Sequence, residues 1–167
     1  MAIKKKPVTP EQACLKMATL CSHSEQCEFD IRKKLFNMGL STKDQKEIID
    51  YLKDEKFIDN QRYANSFVSD KARFANWGPY KIRASLMLKK ISPAMISEAI
   101  GKIEPDVWKT GIMRLASAKA KNLSLVGPDN QENRAKLYRY LLGRGFSSAD
   151  SVNAVKIQRK LQYDQGE

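Results

Sequence analysis

Residues 58–92 read IDNQRYANSFVSDKARFANWGPYKIRASLMLKKIS, and this stretch decides the fold. Asp59 can cap a helix that opens with Asn60-Gln61-Arg62, because its short carboxylate accepts from the free N–H groups of a first turn. Tyr63, Ala64, Phe67, Val68 and Ala75 recur at helical spacing and give that helix one apolar side. Trp77-Gly78-Pro79 ends it: Gly78 allows a positive φ, and Pro79 restarts a helix at its first position. Ile82, Leu86 and Lys89 lie on one side of the new helix, with Lys81, Arg83 and Lys90 around it. Ser92-Pro93 stops that helix and starts another. Between Lys71 and Lys90 stand six basic residues and no acid, so this is where a polyanion or an acidic partner is to be sought.

The same three-helix pattern extends in both directions. Upstream, Thr9, Pro10 and Gln12 form a capping box for a helix whose inner face is Ala13, Cys14, Met17, Ala18 and Cys21. Ser24 is expected to cap the next helix, with Ile31, Leu35 and Met38 on one side and Gly39 as its stop. Ser41-Thr42-Lys43-Asp44 opens a third with another capping box, and Ile48, Ile49 and Leu52 make its stripe. A shift of 51 residues carries Ile31, Leu35, Leu40, Ser41 and Ile49 onto Ile82, Leu86, Ile91, Ser92 and Ile100. A further 55 reaches Leu137, Leu141, Phe146, Ser147 and Val155. Ala13 and Met17 map onto Ala64 and Val68. Val107, Trp108, Ile112, Leu115 and Ala116 form the first helix of the last copy, with Gly127-Pro128-Asp129 as a longer turn. No segment alternates long enough to be a strand. The expected fold is all-α: three tandem three-helix repeats, at 7–57, 58–104 and 105–162, stacked into an elongated, curved row, with Tyr163 to Glu167 frayed.

At 167 residues, 42% hydrophobic and 29% charged, the chain can bury a core and has no apolar run long enough to span a membrane. MAIKKKPVTP lacks the apolar segment of a secretion signal, so a cytoplasmic monomer is expected. The formal net charge of +11 divides as +2, +4 and +5 over residues 1–57, 58–104 and 105–167, from 11, 8 and 11 basic residues against 9, 4 and 6 acidic ones. The excess is therefore no terminal tail.

Cys14, Cys21 and Cys27 are odd in number, which argues against a disulfide framework. With His23 they could be read as a metal site, but the spacing lacks the tight ligand pairs of a zinc knuckle, and ordinary packed or surface thiols are expected. His23 falls in a polar loop. No P-loop, dinucleotide glycine pattern or zinc-protease motif occurs, so the reading is a binding protein without cofactor, metal or catalytic residues. The candidate contacts are basic: Lys71, Arg73, Lys81, Arg83 and Lys90 in the middle repeat, with Trp77 and Tyr80 interleaved, and Arg134, Lys136, Arg139 and Arg144 in the third. Arg32, Lys33 and Lys34 occupy the matching helix of the first. Cations with interleaved aromatics suit phosphates and stacked bases, although aromatics at helix turns more commonly pack. Helix-turn-helix reading of duplex DNA would need basic third helices. Residues 92–103 carry only Glu98 and Lys102 as charges, and residues 41–53 are near neutral.

Ile58-Asp59-Asn60-Gln61-Arg62-Tyr63-Ala64, followed by Phe67-Val68, Gly78, Lys81-Ile82, Leu86 and Ile91, resembles the signature of the RecX family. Arg32-Lys33-Lys34-Leu35 with Gly39, and Tyr140-Leu141 with Arg144-Gly145-Phe146-Ser147, look like that family's flanking units. Two positions depart from the pattern: the usual acidic pair is Asp59-Asn60, and the glycine expected before Ile91 is Lys90. The resemblance implies a regulator in DNA repair, recombination and the SOS response. Such a protein binds RecA recombinase filaments on single-stranded DNA, in the groove across neighbouring subunits, and restrains ATP hydrolysis and strand exchange. The alternatives are a module that binds single-stranded or structured DNA by itself, and a helical scaffold for another acidic protein.

Overall fold

The computed structural model describes residues 8–127 and 130–165. Those residues form nine helices and no strand: α1 (Pro10–His23), α2 (Glu28–Asn37), α3 (Thr42–Asp54), α4 (Asn60–Arg73), α5 (Pro79–Leu88), α6 (Pro93–Gly101), α7 (Pro105–Ala120), α8 (Gln131–Gly143) and α9 (Ser148–Asp164). No described helix is long and apolar enough to cross a membrane.

The helices gather in threes because each has only a narrow apolar stripe to bury. Ala13, Met17, Ile31, Leu35, Ile48, Ile49 and Leu52 close a first cluster within α1–α3. Ala64, Val68, Ala72, Ile82, Leu86, Ile96 and Ala99 close a second within α4–α6. Ile112, Ala116, Ala120, Leu137, Leu141, Ala154 and Val155 close a third within α7–α9, with Leu125 and Phe146. Below roughly 70–80 residues one such core rarely supplies more than about 3–5 kcal/mol, so each unit leans on its neighbours.

The repeat holds at the level of single hydrogen bonds. At the ends of α2, α5 and α8, Leu40 N donates to Leu35 O, Ile91 N to Leu86 O and Phe146 N to Leu141 O. Inside each, Gly39 N donates to Phe36 O, Lys90 N to Met87 O and Gly145 N to Leu142 O. This paired closure needs a left-handed residue between the two bonds, and Gly39, Lys90 and Gly145 have φ of 79°, 58° and 92°. Ser41, Ser92 and Ser147 then each accept from the N–H three residues on.

Several local expectations change. The left-handed residue in the α4–α5 connection is Asn76, at φ 50°, while Gly78 has φ −77° as the N-cap of α5. Ala75 lies past the end of α4, and Ala72 takes the buried place on the stripe. Ser24 ends α1 rather than capping α2; its residue at the cap is Cys27, and the missing acceptor comes from Asn60, whose Oδ1 takes the Glu28 N–H at 3.0 Å. Ser41 makes half a capping box, its hydroxyl bonding the Asp44 carboxylate as well as the Asp44 N–H. His23 is the last residue of α1, and Tyr163 and Asp164 still belong to α9. Gly127 has φ 98°, while Pro128, Asp129 and the N-terminal lysines lie outside the described residues.

The two joints differ in kind. Between the first and second units, Asp30 pairs with Lys89 and Glu25 with Arg62, both at 2.5 Å, and Cys27 and Phe29 pack into the second core. Burial works against the Lys89 charge, but Asp30 and Tyr63 more than offset it and raise the ammonium above the ordinary lysine range. Between the second and third units, backbone meets backbone: Gly78 N donates to Arg144 O at 2.8 Å and Tyr80 N to Gly145 O at 3.0 Å. A Cβ on Gly78 would sit 2.2 Å from Gly145 O, and one on Gly145 would sit 2.4 Å from Lys81 Cβ. α4 also packs on α7, with Val107 and Trp108 reaching the second core.

This geometry separates the glycines in unfolding experiments. Gly145→Ala should destabilise by about 2–5 kcal/mol, combining strain at positive φ with overpacking. Gly39→Ala, with nothing within 4 Å of its Cβ, should lose only about 1 kcal/mol. Lys90→Gly, which relieves a left-handed lysine, should gain up to about 1 kcal/mol. Urea titrations of the three variants check this, and equal losses at Gly39 and Gly145 would remove the case for a glycine-closed joint.

Candidate nucleic-acid and filament interface

Eight of the basic residues singled out in the sequence share one property. Among the described residues, none of Lys71, Arg73, Lys81, Arg83, Lys90, Arg134, Arg139 and Arg144 is paired with a carboxylate. Two more that the sequence offered are paired: Arg32 with Glu28 at 2.9 Å and Lys136 with Glu132 at 3.1 Å. Burial opposes the Glu28 charge, but Arg32 and Lys53 together hold its carboxyl below the usual range.

The α4–α5 corner brings two of the eight together. The Lys71 and Lys81 ammonium groups lie 5.1 and 4.4 Å from the centre of the Trp77 ring. Trp77 also meets Phe67 edge-on, with ring centres 6.4 Å apart. Trp77 is therefore a packed platform for cations, worth about 0.5–1 kcal/mol per contact at an exposed site. The second, third and first helices of the middle unit also stand apart electrostatically. α4, α5 and α6 have no acid in their first turns, although Asp59 caps α4, whereas α1, α2, α3, α7, α8 and α9 each have at least one. Lys81 sits in the first turn of α5, at the positive end of the helix dipole, where an unpaired cation is locally unfavourable and an anion is favoured.

Arg73 turns away from this corner. It lines a groove between α4 and α7 with Asn76, Asp106, Thr110 and Arg114, and Arg114 was not evident from the basic run. Lys90 is in a separate groove with Glu28, Phe29, Arg32, Lys33, Phe36 and Lys89, its ammonium 5.7 Å from the Phe29 ring centre. Arg83 donates to Ser97 Oγ at 3.2 Å, and Arg139 is exposed on α8.

Two arginines are tied to the backbone. Arg134 Nη1 donates to Leu125 O at 3.0 Å and Gly127 O at 2.8 Å, holding the α7–α8 connection that Gln162 grips from the other side. Arg144 Nη2 donates to Ala75 O at 2.5 Å across the second joint, and its Nε is buried without a partner. These guanidinium groups serve the joint and the loop.

Two further features went unseen in the sequence. Phe74 is 81% exposed and Tyr80 62% exposed, so Phe74 joins Tyr80 as a free aromatic surface. Phe74 lies off the Ala64-Val68-Ala72 stripe, which was the available signal. Lys156, Arg159 and Lys160 on α9 line a groove with Gly127 and Tyr163, so the third helix of the last unit is basic although those of the first two are not. Among the described residues, no group of three or more His, Cys, Asp or Glu is placed to hold a metal ion.

Residues 59–100 match the family model described as RecX, second three-helix domain. Curated relatives named regulatory protein RecX include one from Clostridium botulinum strain Alaska E43, 37% identical over 136 residues, with 81% of this chain and 63% of the relative covered. One from Clostridium botulinum strain Eklund 17B is 36% identical over 119 residues, covering 71% of this chain and 55% of the relative. The crystal structure of a regulatory protein RecX superposes with a TM-score of 0.75 at 26% identity, covering 84% of this chain and 68% of the other. That of RecX from Lactobacillus salivarius gives 0.74 at 21% identity, covering 91% and 97%, a likeness of fold. The chain spans less than two thirds of the first two relatives' length.

The thiols divide by depth. Burial raises all three, and the Cys27 thiol, sealed in the second core, is pushed up to about 11. A thiol reagent at pH 8 should therefore reach Cys14 and Cys21 in the folded protein and Cys27 only after denaturant is added. Three equally fast reactions would contradict the placement of Cys27.

Proposed function

From the premise that the chain belongs to the RecX family, we propose that it binds RecA recombinase filaments on single-stranded DNA and inhibits their ATP hydrolysis and strand exchange. The observation that carries this reading is the set of cations without carboxylate partners, densest around Trp77. A protein with a net charge of +11 normally neutralises many of its lysines by local pairs, and here the middle unit leaves Lys71, Arg73, Lys81 and Arg83 uncompensated. Such charges destabilise one another slightly in the free protein and gain when an acidic surface or a phosphate approaches.

A row of small units suits a groove better than a cleft. Laid along a filament, cations from successive units would engage neighbouring recombinase subunits and the enclosed strand together. Bridging neighbours opposes the relative movements on which cycles of hydrolysis depend, and occupying the groove bars a second duplex. Lys90 extends the positive surface to the edge of the first unit, and Arg139 with the α9 cluster Lys156, Arg159 and Lys160 extends it into the third.

Phosphates neutralised by lysine and arginine release counterions, so binding should fall steeply with salt. If Lys71, Arg73, Lys81 and Lys90 all meet strand phosphates, the logarithmic slope should be roughly −3. Changing Arg73, Lys81 and Arg83 to glutamate should abolish inhibition of filament ATP hydrolysis with an unchanged helical spectrum, since exposed charges contribute little to stability. Inhibition by that triple variant at the parent's level would clear the middle unit of the role. A parent that binds free single strands as tightly as filaments, with no effect on hydrolysis, would favour a stand-alone DNA module.

A further inference from the structure

The turns that end α2, α5 and α8 each carry an apolar side chain that the cores leave exposed in part. Phe36, Met87 and Leu142 stand three residues before Gly39, Lys90 and Gly145 and are 70%, 55% and 37% exposed. Each is the residue whose carbonyl accepts the inner bond of the turn, so the three are equivalent by hydrogen bonding as well as by sequence. The neighbouring positions Leu35, Leu86 and Leu141 are wholly buried and fill the cores.

One exposed apolar residue needs no explanation, because most protein surfaces hold several. Three at one repeat position are different. No other repeat position compared is apolar and exposed in all three units: Leu88 corresponds to Asn37 and Gly143, Tyr80 to half-buried Phe29 and to Ala135, and Tyr51 to Lys102 and to exposed Ile157, apolar in two units of the three. Each of the three also has a cation about one turn earlier on its helix: Arg32 and Lys33 before Phe36, Arg83 before Met87, and Arg139 before Leu142.

We propose that Phe36, Met87 and Leu142 are equivalent anchors that seat in apolar notches on successive, identical subunits of a protein filament, each notch rimmed by carboxylates. This rests on the filament reading above and deepens it, by separating the side chains that hold protein from those that hold the strand. A surface that offers the same contact three times fits a partner that repeats, whereas a single globular partner presents a given notch once. The chemistry of the anchors selects protein over nucleic acid. Methionine and leucine have no ring on which a base can stack, yet they fill apolar pockets well. Lys33, Arg83 and Arg139, which have no carboxylate partner among the described residues, supply the complement to an acidic rim, whereas Arg32 is held by Glu28. Anchors of this kind contribute about tenfold each when removed, and linkage along one chain multiplies them.

The test uses Phe36→Gln, Met87→Gln and Leu142→Gln, singly and together, in the full chain. Binding is measured to recombinase filaments on single-stranded DNA held with a non-hydrolysable nucleotide, and to the same DNA free. Each single change should weaken filament binding about five- to tenfold and the triple change more than about a hundredfold. Affinity and salt slope on free DNA, and the melting midpoint, should be unchanged. Phe36→Leu and Met87→Leu should bind as the parent does, which keeps the test decisive should the triple variant fold poorly. A triple variant that binds filaments as tightly as the parent overturns the proposal, as does an equal loss on free DNA. A parent that binds filaments no better than free DNA overturns it together with the reading beneath it.

Discussion

Two peptide backbones lie so close at the second joint that no side chain fits on either. Gly78 and Gly145 meet there, and Gly78 N and Tyr80 N donate to carbonyls of the facing turn. The first turn of α5 would otherwise have free N–H groups and no side-chain cap, since Gly78 offers none. The third unit thus completes a helix of the second. Arg144 adds a bond in the reverse direction, to Ala75 O, just beyond the end of α4. The corner that holds Trp77 between Lys71 and Lys81 is built on this contact, so the placement of the middle unit's cations depends on the turn of another unit.

The repeat was legible because its signals are local. A left-handed stop, an apolar residue and a serine cap are read within a few residues, and 39–41, 90–92 and 145–147 all satisfy them. What was illegible was supplied from a distance. Asn60 caps α2 from 32 residues away, and nothing near Glu28 announces it. Gly78 looked like a residue chosen for its φ, but the constraint on it is the space around it, which only the facing turn defines. Lys90 shows the limit of composition as a guide: the turn forms with a lysine at φ 58° because the bonds around it and the serine cap beyond over-determine the backbone.

The candidate interface was legible in composition and less so in arrangement. An acid-free run from Lys71 to Lys90 identifies a positive region, but helix positions distribute it over three places: the Trp77 corner, the α4–α7 groove and the groove beside Phe29. Arg134 and Arg144 illustrate a general ambiguity of arginine. Its planar fork suits backbone carbonyls as well as phosphates, and only the surroundings decide which it meets.

The unequal joints give the molecule a mechanical polarity. Tension applied at the two ends passes through both joints in series, so the weaker one yields first. The junction of α1–α3 with α4–α6 combines side-chain ion pairs, one capping bond and the packing of Cys27 and Phe29, while that of α4–α6 with α7–α9 adds direct backbone bonding to helix packing. Stretched between its termini, the chain should release α1–α3 as a first step and leave α4–α9 as a stiff lever. A single-molecule pulling trace beginning with extension from the C-terminal unit would contradict that order. In a groove that lengthens and shortens, such a molecule would yield at its N-terminal end and keep hold with the rest.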